Sequence, residues 1–349
     1  MKVGLLYCVD STGIENYILA CKKKSVDYCS IDIASSDWLD RVNASEADLF
    51  INRPEGCFEY LKVMYDERLY IISEVLHKIV FPTYQEVKLY ENKKMLSYFL
   101  EANIIPHAKT KVFYDKDEAF DYVNRAKLPI VAKTSIGAAG SGVKILRSIR
   151  TSEKYIKIAF GKQGIKARFG PNKNKGNLVT WSEKALMSPM FFVRKLKNYF
   201  HRNSFGQRGY VIFQEYLEHD FEWRVTKCGD YYYAFQKLKN GDKCSGCGIP
   251  DGHAIEPPLD LLDFVRNLCL KYRFNSMAVD ILNTNDGVYR VNELQTHWGV
   301  DHYDCMIING KRGIYKYEDG WKFIEGEFWS NFYFDTRLEA AIDYYNKKK

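Results

Sequence analysis

The sequence predicts an α/β unit followed by a larger α+β body, and three observations carry that expectation. Residues 1–81 alternate short apolar runs with stretches at helical spacing. Beyond Pro82, apolar runs recur in pairs across turn-forming residues, the pattern of antiparallel strands. Hydrophobic residues make up 46% of the 349, enough to bury a sizeable core and too many for a disordered tether.

In the first unit, residues 3–7 form a compact apolar run, 14–24 have helical character and 31–33 open a second strand. Residues 48–52 and 78–81 supply two more strands, with a helix over 61–77 between them. No GxGxxG follows the first run, so a dinucleotide-binding fold gains little support. The second unit begins near Pro82. A helix over 88–102 ends at Asn103-Ile104-Ile105-Pro106, another covers 118–126, and Pro129 introduces a β-like run to Lys133. Gly137, Gly140, Ser141 and Gly142 then make a turn into 143–146, the return strand of an antiparallel pair.

Residues 150–208 are less regular, with a short helix of aromatic and basic faces over 191–200. A strand over 210–217 precedes a hairpin of 222–228 and 231–237 around Gly229-Asp230. A helix over 259–272 leads to a strand pair, 276–282 and 287–294. The last 40 residues show no pattern assignable to chemistry. Their aromatics, among them Tyr315, Trp321, Phe323 and Phe328, read first as packing, then as an oligomer contact or a platform for sugars or lipids.

The net charge of +7 is local. Residues 150–208 carry 14 basic and 2 acidic side chains, whereas the remainder sums to -5. That segment is either a solvated loop or a guide for an acidic acceptor. Phe191, Phe192, Tyr199 and Phe200 within it match no recognised single-strand-binding spacing, so nucleic acid is the weaker reading. Nine scattered Cys suggest free thiols, and Cys244-Ser245-Gly246-Cys247 lacks the second pair that a zinc site needs. No window holds about eighteen consecutive apolar residues, and Asp10 interrupts the first run early; a cytoplasmic protein without a transmembrane segment is expected.

A polyphosphate needs cations, close backbone donors and a divalent metal held by carboxylates. Lys93, Lys133, the 137–142 turn, Asp280 and Glu293 offer all three. Each has a bland reading as well: a structural turn, a solvated lysine, a strand cap. The absence of GxxxxGK[ST] argues against a P-loop.

Four segments in this order resemble the ATP-grasp superfamily, in its RimK-like branch: Asn92-Lys93, LPIVAKTSIGAAGSGVKIL at 128–146, VIFQEYLEHDFEWRV at 211–225, and MAVDILNTNDGVYRVNEL at 277–294. The resemblance covers roughly 80–310. It implies an N-terminal α/β domain over 1–81, an ATP-grasp module over 82–310 with a central subdomain at about 105–210, and a packing segment over 311–349. The nucleotide cleft would lie between two α+β subdomains.

By the same resemblance, Lys93 and Lys133 contact phosphate, and Gly137, Gly140, Ser141 and Gly142 cover it. Gln214, Glu215 and Leu217 match the linker that meets adenine, Glu222 a carboxylate near ribose, and Arg224 an active-site arginine. Asp280, Glu293 and Gln295 would hold Mg²⁺, with Mn²⁺ as the alternative ion. Two departures stand out: Gln295 replaces the usual Asn, and His297-Trp298-Gly299 replaces the usual Pro-Gly. The implied reaction is ATP-dependent activation of a carboxylate as an acylphosphate, attacked by an amine. The acceptor would be a peptide, an acidic polymer or a surface glycan reached through 150–208, with Lys243 and Ser245 as further contacts. A kinase-like phosphotransferase and a noncatalytic nucleotide-binding scaffold are the alternatives. No general base is assigned among His201, His297 and His302.

Overall fold

The computed structural model describes residues 1–9, 14–56, 58–137, 142–166, 206–238, 255–298, 306–328 and 330–349. The first sheet comprises β1 (Lys2–Tyr7), β2 (Asp27–Asp32), β3 (Leu49–Asn52) and β4 (Ile79–Phe81), all parallel in the order β2-β1-β3-β4. Every residue of β3 is buried, as expected of a parallel strand covered on both faces. Helices α1 (Glu15–Lys23), α2 (Trp38–Ala44) and α3 (Glu59–Tyr70) make the crossovers. Gly4 is required where it stands, because a Cβ there would lie 2.6 Å from the Phe50 ring.

The helix expected over 61–77 ends earlier, at Tyr70, and continues as a π-turn over Ile71–Val75. The single helix expected over 88–102 is two: α4 (Tyr84–Leu89) and α5 (Lys93–Ala102). Its apolar spacing runs across the break, which is why periodicity alone joined them. Glu91 takes a positive φ of 45° there, and the Asn92 side chain caps α5 by accepting from the Met95 N–H.

The second sheet is antiparallel, in the order β5-β8-β6-β7: β5 (Thr110–Phe113), β6 (Ile130–Lys133), β7 (Val143–Leu146) and β8 (Val211–Glu215). Helices α6 (Lys116–Arg125) and α7 (Ile149–Ala159) cover it and enclose a separate core that includes Phe113, Ile130, Tyr155, Ile156 and Phe213. Helix α7 gives regular structure to the start of the segment expected to be irregular, helped by a Ser148–Thr151 capping box.

The third sheet is antiparallel and seven-stranded. It contains β9 (His219–Cys228), β10 (Tyr231–Leu238), β11 (Ser276–Thr284), β12 (Tyr289–Gln295), β13 (Met306–Ile308), β14 (Lys311–Tyr317) and β15 (Trp321–Glu325). Helix α8 (Leu259–Tyr272) matches its expected span, and the chain ends on α9 (Phe334–Lys348). The last 40 residues thus hold two strands, β14 and β15, and the helix α9, although they carry no legible chemical motif. One apolar core joins the first and third sheets: Leu5 and Ile51 belong to the same cluster as Trp223, Val279 and Leu338. Among the described residues, no helix is long and apolar enough to cross a membrane. The expected helix over 191–200 and the Cys244–Cys247 motif lie outside the described residues.

Candidate active site

Sheet register builds the site. Asp280 on β11 stands directly opposite Glu293 on β12, and on its other side opposite Arg224 on β9. Cross-strand partners share a face, so the three side chains form a row. Two positions along β9, Glu222 stands opposite Lys237 on β10. Because strand side chains repeat every second residue, Glu222 and Lys237 join the same face. The register of β11 against β12 slips between Asp280 and Ile281, a β-bulge at which Asn292 is passed over. Bulges re-aim side chains. Here the consequence is that adjacent residues, Asn292 and Glu293, both reach the charged face.

The contacts form one connected network. The Arg224 guanidinium donates to both carboxylate oxygens of Asp280, at 2.7 and 2.8 Å. Lys237 Nζ lies 2.6 Å from Asp280 and 2.8 Å from Glu222. Asn292 Nδ2 donates to Glu222 at 3.0 Å, and its Oδ1 accepts from Lys133 Nζ at 3.0 Å. Lys133, at the end of β6, therefore reaches across from the second sheet into the third. Main-chain pairing supports the same junction, with the Val291 N–H donating to the Pro106 carbonyl at 2.8 Å.

A second cluster adjoins the row. Lys93, the first residue of α5, has Nζ 3.0 Å from the Gly137 carbonyl, 3.4 Å from Glu91 and 3.8 Å from Glu293. Gln295 Nε2 is 3.2 Å from Glu293 and 3.4 Å from Glu91. The two clusters together hold four cations, Lys93, Lys133, Arg224 and Lys237, and four carboxylates, Glu91, Glu222, Asp280 and Glu293.

Burial disfavours the charges of Asp280, Glu293, Lys93 and Lys237, and the neighbours decide the outcome. Burial pushes the Asp280 carboxyl up, but Arg224 and Lys237 overcome it and hold it well below the ordinary carboxylate range. Glu293 is likewise lowered: burial opposes ionisation, as does Asp280, and Lys93 leads the cations that outweigh them. Burial pushes the Lys93 and Lys237 ammonium groups down, and their carboxylate partners bring both above the ordinary lysine value.

The glycine turn is described at its two ends. Gly137 has a positive φ of 147° and donates its N–H to Glu91 at 3.3 Å. At Gly142 a Cβ would lie 1.7 Å from the Thr134 hydroxyl, so only glycine allows the hairpin to close there. Gly140 and Ser141 lie outside the described residues, as do His201, Lys243, Ser245 and His302. In the 214–217 segment, the buried Gln214 side chain donates to Thr110, Glu215 accepts from the Lys109 N–H at 2.7 Å, and the Leu217 carbonyl lies 2.9 Å from His219 Nδ1. Glu222 is fully buried and engaged by Lys237 and Asn292, so the structure draws it into the ion network. His297 is held neutral by burial, then by Arg337 and Arg53, and packs edge-on against Tyr90.

Sequence reasoning missed Glu91, Lys237 and Asn292. Lys237 was legible: a two-residue turn at Gly229-Asp230 fixes the β9/β10 register and sets Lys237 against Glu222. Asn292 depends on a bulge with no sequence marker, and Glu91 on the helix break beside it.

The donor set suits a hard divalent cation, since Asp280 and Glu293 are ionised oxygen ligands and Gln295 carries an amide oxygen. Asp280 is already gripped by Arg224 and Lys237, and among the described residues no three His, Cys, Asp or Glu side chains converge as a metal cage. That fits an ion completed by phosphate and water oxygens. A separate cavity of about 360 Å³, lined by Asp230, Lys316 and Glu339 near the β9/β10 turn, contains none of the candidate residues.

No protein-family model and no curated protein matches the chain. Solved structures do. D-alanine–D-alanine ligase from Bacillus anthracis superposes with a TM-score of 0.54 at 13% identity, covering 100% of both chains. An N5-carboxyaminoimidazole synthase from Aspergillus clavatus, in complex with ADP and 5-aminoimidazole ribonucleotide, gives 0.56 at 10% identity, over 98% of this chain and 76% of that one. A RimK domain ATP-grasp protein from Sphaerobacter thermophilus gives 0.50 at 14%, over 84% and 90%. The chain has the ATP-grasp fold.

Proposed function

We propose that this ATP-grasp chain is an ATP-dependent ligase that activates a substrate carboxylate as an acylphosphate for attack by an amine. The observation that carries the reading is the row Glu293, Asp280, Arg224, bordered by Lys93, Lys133 and Lys237. Phosphoryl transfer asks a protein mainly for positioning and charge stabilisation, and four cations beside two ionised carboxylates meet that demand. Two of the matched structures are named as ligase or synthase, and one of the ligase structures is complexed with ATP.

In this reading Lys93 and Lys133 bind phosphate oxygens. Lys133 exchanges its bond to Asn292 for a phosphate, and Lys93 loosens its long contacts to Glu91 and Glu293. Arg224 holds Asp280 and extends positive charge toward the acyl acceptor. Asp280, Glu293 and Gln295 would hold Mg²⁺, or Mn²⁺, which when bound neutralises phosphate charge. The 214–217 segment meets adenine through its backbone, and the 137–142 turn excludes water from the activated carboxylate. Residues 82–310 form the catalytic module, and the basic segment 150–208 draws in an acidic peptide or glycan acceptor.

The test is coupled product analysis. ADP and inorganic phosphate should appear only when Mg-ATP, a carboxylate and an amine are all present. Phosphate retained on a hydroxyl acceptor would replace this reading with a kinase, and nucleotide binding without turnover on any acceptor would replace it with a scaffold.

A further inference from the structure

Beyond the charged row, five buried polar atoms lack a hydrogen-bond partner: Thr296 Oγ1 and Trp298 Nε1 just after β12, Arg337 Nε and Nη1 on α9, and Arg53 Nε just after β3, with the charges of both arginines acting on His297 between Thr296 and Trp298. Arg337 is the centre of this group. It projects from α9 and is only 1% exposed. Its guanidinium carbon stacks 4.0 Å from the Trp298 ring centroid and 4.8 Å from that of Phe334, while Nη2 donates to the Trp298 carbonyl at 3.2 Å. Two aromatic faces and one carbonyl fix the plane of the cation without supplying a negative charge.

The acids that flank Arg337 on α9 are engaged elsewhere. Asp335 pairs with Lys23 at 2.6 Å, and Glu339 pairs with Lys24. Arg53 follows β3, and its charge reaches the same neighbourhood. Burial pushes up the Tyr17 hydroxyl; Arg337 pulls against it through its charge and a side-chain hydrogen bond, and Arg53 through its charge alone. All five atoms can donate, and among the described residues none has an acceptor in good hydrogen-bonding geometry, the neutral Tyr17 hydroxyl beside Arg337 being a polar neighbour that supplies no charge. A buried cation with unmade hydrogen bonds is costly, and an oxyanion is the partner that a fixed, planar guanidinium binds best.

We propose that Arg337 and Arg53, with Thr296 and Trp298, form a seat for an oxyanion of the acceptor substrate, a carboxylate or phosphate group distinct from the phosphates of the nucleotide. Only the word acceptor rests on the ligase reading; the seat itself rests on the unpartnered donors. Thr296 directly follows Gln295 along the chain, so the seat begins where the charged strand β12 ends. The Trp298 ring is the surface on which Arg337 stacks.

Thermal unfolding of the full chain at constant ionic strength tests this, with sodium succinate and sodium phosphate as probes against sodium chloride. At least one probe should raise the melting temperature saturably. The Arg53→Gln variant, altered at a partly exposed side chain, should weaken the midpoint of that response about tenfold, the worth of one charge-assisted hydrogen bond. Arg337→Lys, which keeps the charge and loses the stacked plane, should weaken it as well. Lys133→Ala should lose the Mg-ATP response and keep the anion response, whereas Arg53→Gln should do the reverse. An Arg53-dependent anion response in a chain that binds no Mg-ATP would remove the ligase reading and leave the seat standing. Equal behaviour in all three salts, or a probe response unchanged in both arginine variants, overturns the seat. A response to succinate alone assigns it to carboxylates, and one to phosphate alone assigns it to phosphoryl groups.

Discussion

The two halves of the charged site are built from the same residue types and differ in tightness. Around Asp280, the contacts to Arg224 and Lys237 run from 2.6 to 2.8 Å. Around Lys93, the contacts to Glu91 and Glu293 are 3.4 and 3.8 Å. The difference follows from what positions each group. Asp280, Arg224 and Lys237 stand on hydrogen-bonded strands whose register leaves no choice of neighbour. Lys93 opens a helix after a break, and Glu91 lies in that break. A saturated pair acts as scaffold, and a loosely paired cation can accept another anion at little cost. On this comparison the Arg224–Asp280–Lys237 contacts are the tighter framework, and Lys93, like Lys133, is the cation proposed to exchange toward phosphate.

The strongest way to break this contrast is Asp280→Asn. It leaves Arg224 and Lys237 short of a buried counter-charge and should cost about 3–5 kcal/mol in urea unfolding. The same group sets an acid limb. Its folded-state pKa is depressed, so its contribution is present above the unfolded carboxyl value of about 4 and is lost as pH falls through the lower folded value. Stability should therefore decline progressively below about pH 5, and Asp280→Asn should flatten that decline. An unchanged acid limb in the variant would place the depressed group elsewhere.

Lys93→Met addresses the looser side. We expect Mg-ATP affinity to fall by about 1.5–3 kcal/mol, tenfold or more by calorimetry, with a smaller loss of stability than for Asp280→Asn. Should the ranking of stability losses invert, the division between scaffold and exchange would be lost. A smaller effect than that of Asp280→Asn is expected for Asn292→Ala, about 1.5–3 kcal/mol of unfolding free energy, because two hydrogen bonds to charged groups, one from Lys133 and one to Glu222, disappear. Its value lies in the nucleotide-bound state, where the cost should shrink if Lys133 has moved to phosphate.

Much of this architecture was legible because its signals are local. The apolar runs of the first sheet, the Gly229-Asp230 turn and the Leu259–Tyr272 helix are each written in adjacent residues. Asp280, Glu293 and Arg224 were found through motif resemblance, and their row follows from strand pairing. What could not be read depends on events that leave no local trace: the bulge that turns Asn292, the positive φ of Glu91 that splits one apparent helix, and the burial of Arg337 by a helix far along the chain. Among the late aromatics, Tyr315 is buried and Trp321 packs edge-on to it.

The division of apolar interior between the sheets has a mechanical consequence. The first and third sheets share one core, and α9 fastens them further through its ion pairs to α1 and the Tyr17–Phe334 ring contact. The β5–β8 sheet keeps a core of its own and meets the rest through polar and cation–ring links, among them Val291 to Pro106, Lys133 to Asn292, Lys93 to Ser135 and Gly137, and Lys94 over the Tyr210 ring. The smaller sheet makes the jaw and the remainder the anvil, and a change in their relative placement would change the distance between the charges each carries. Lys133 rides on the jaw and Asp280 is set in the anvil, so bite angle and charge spacing are one variable.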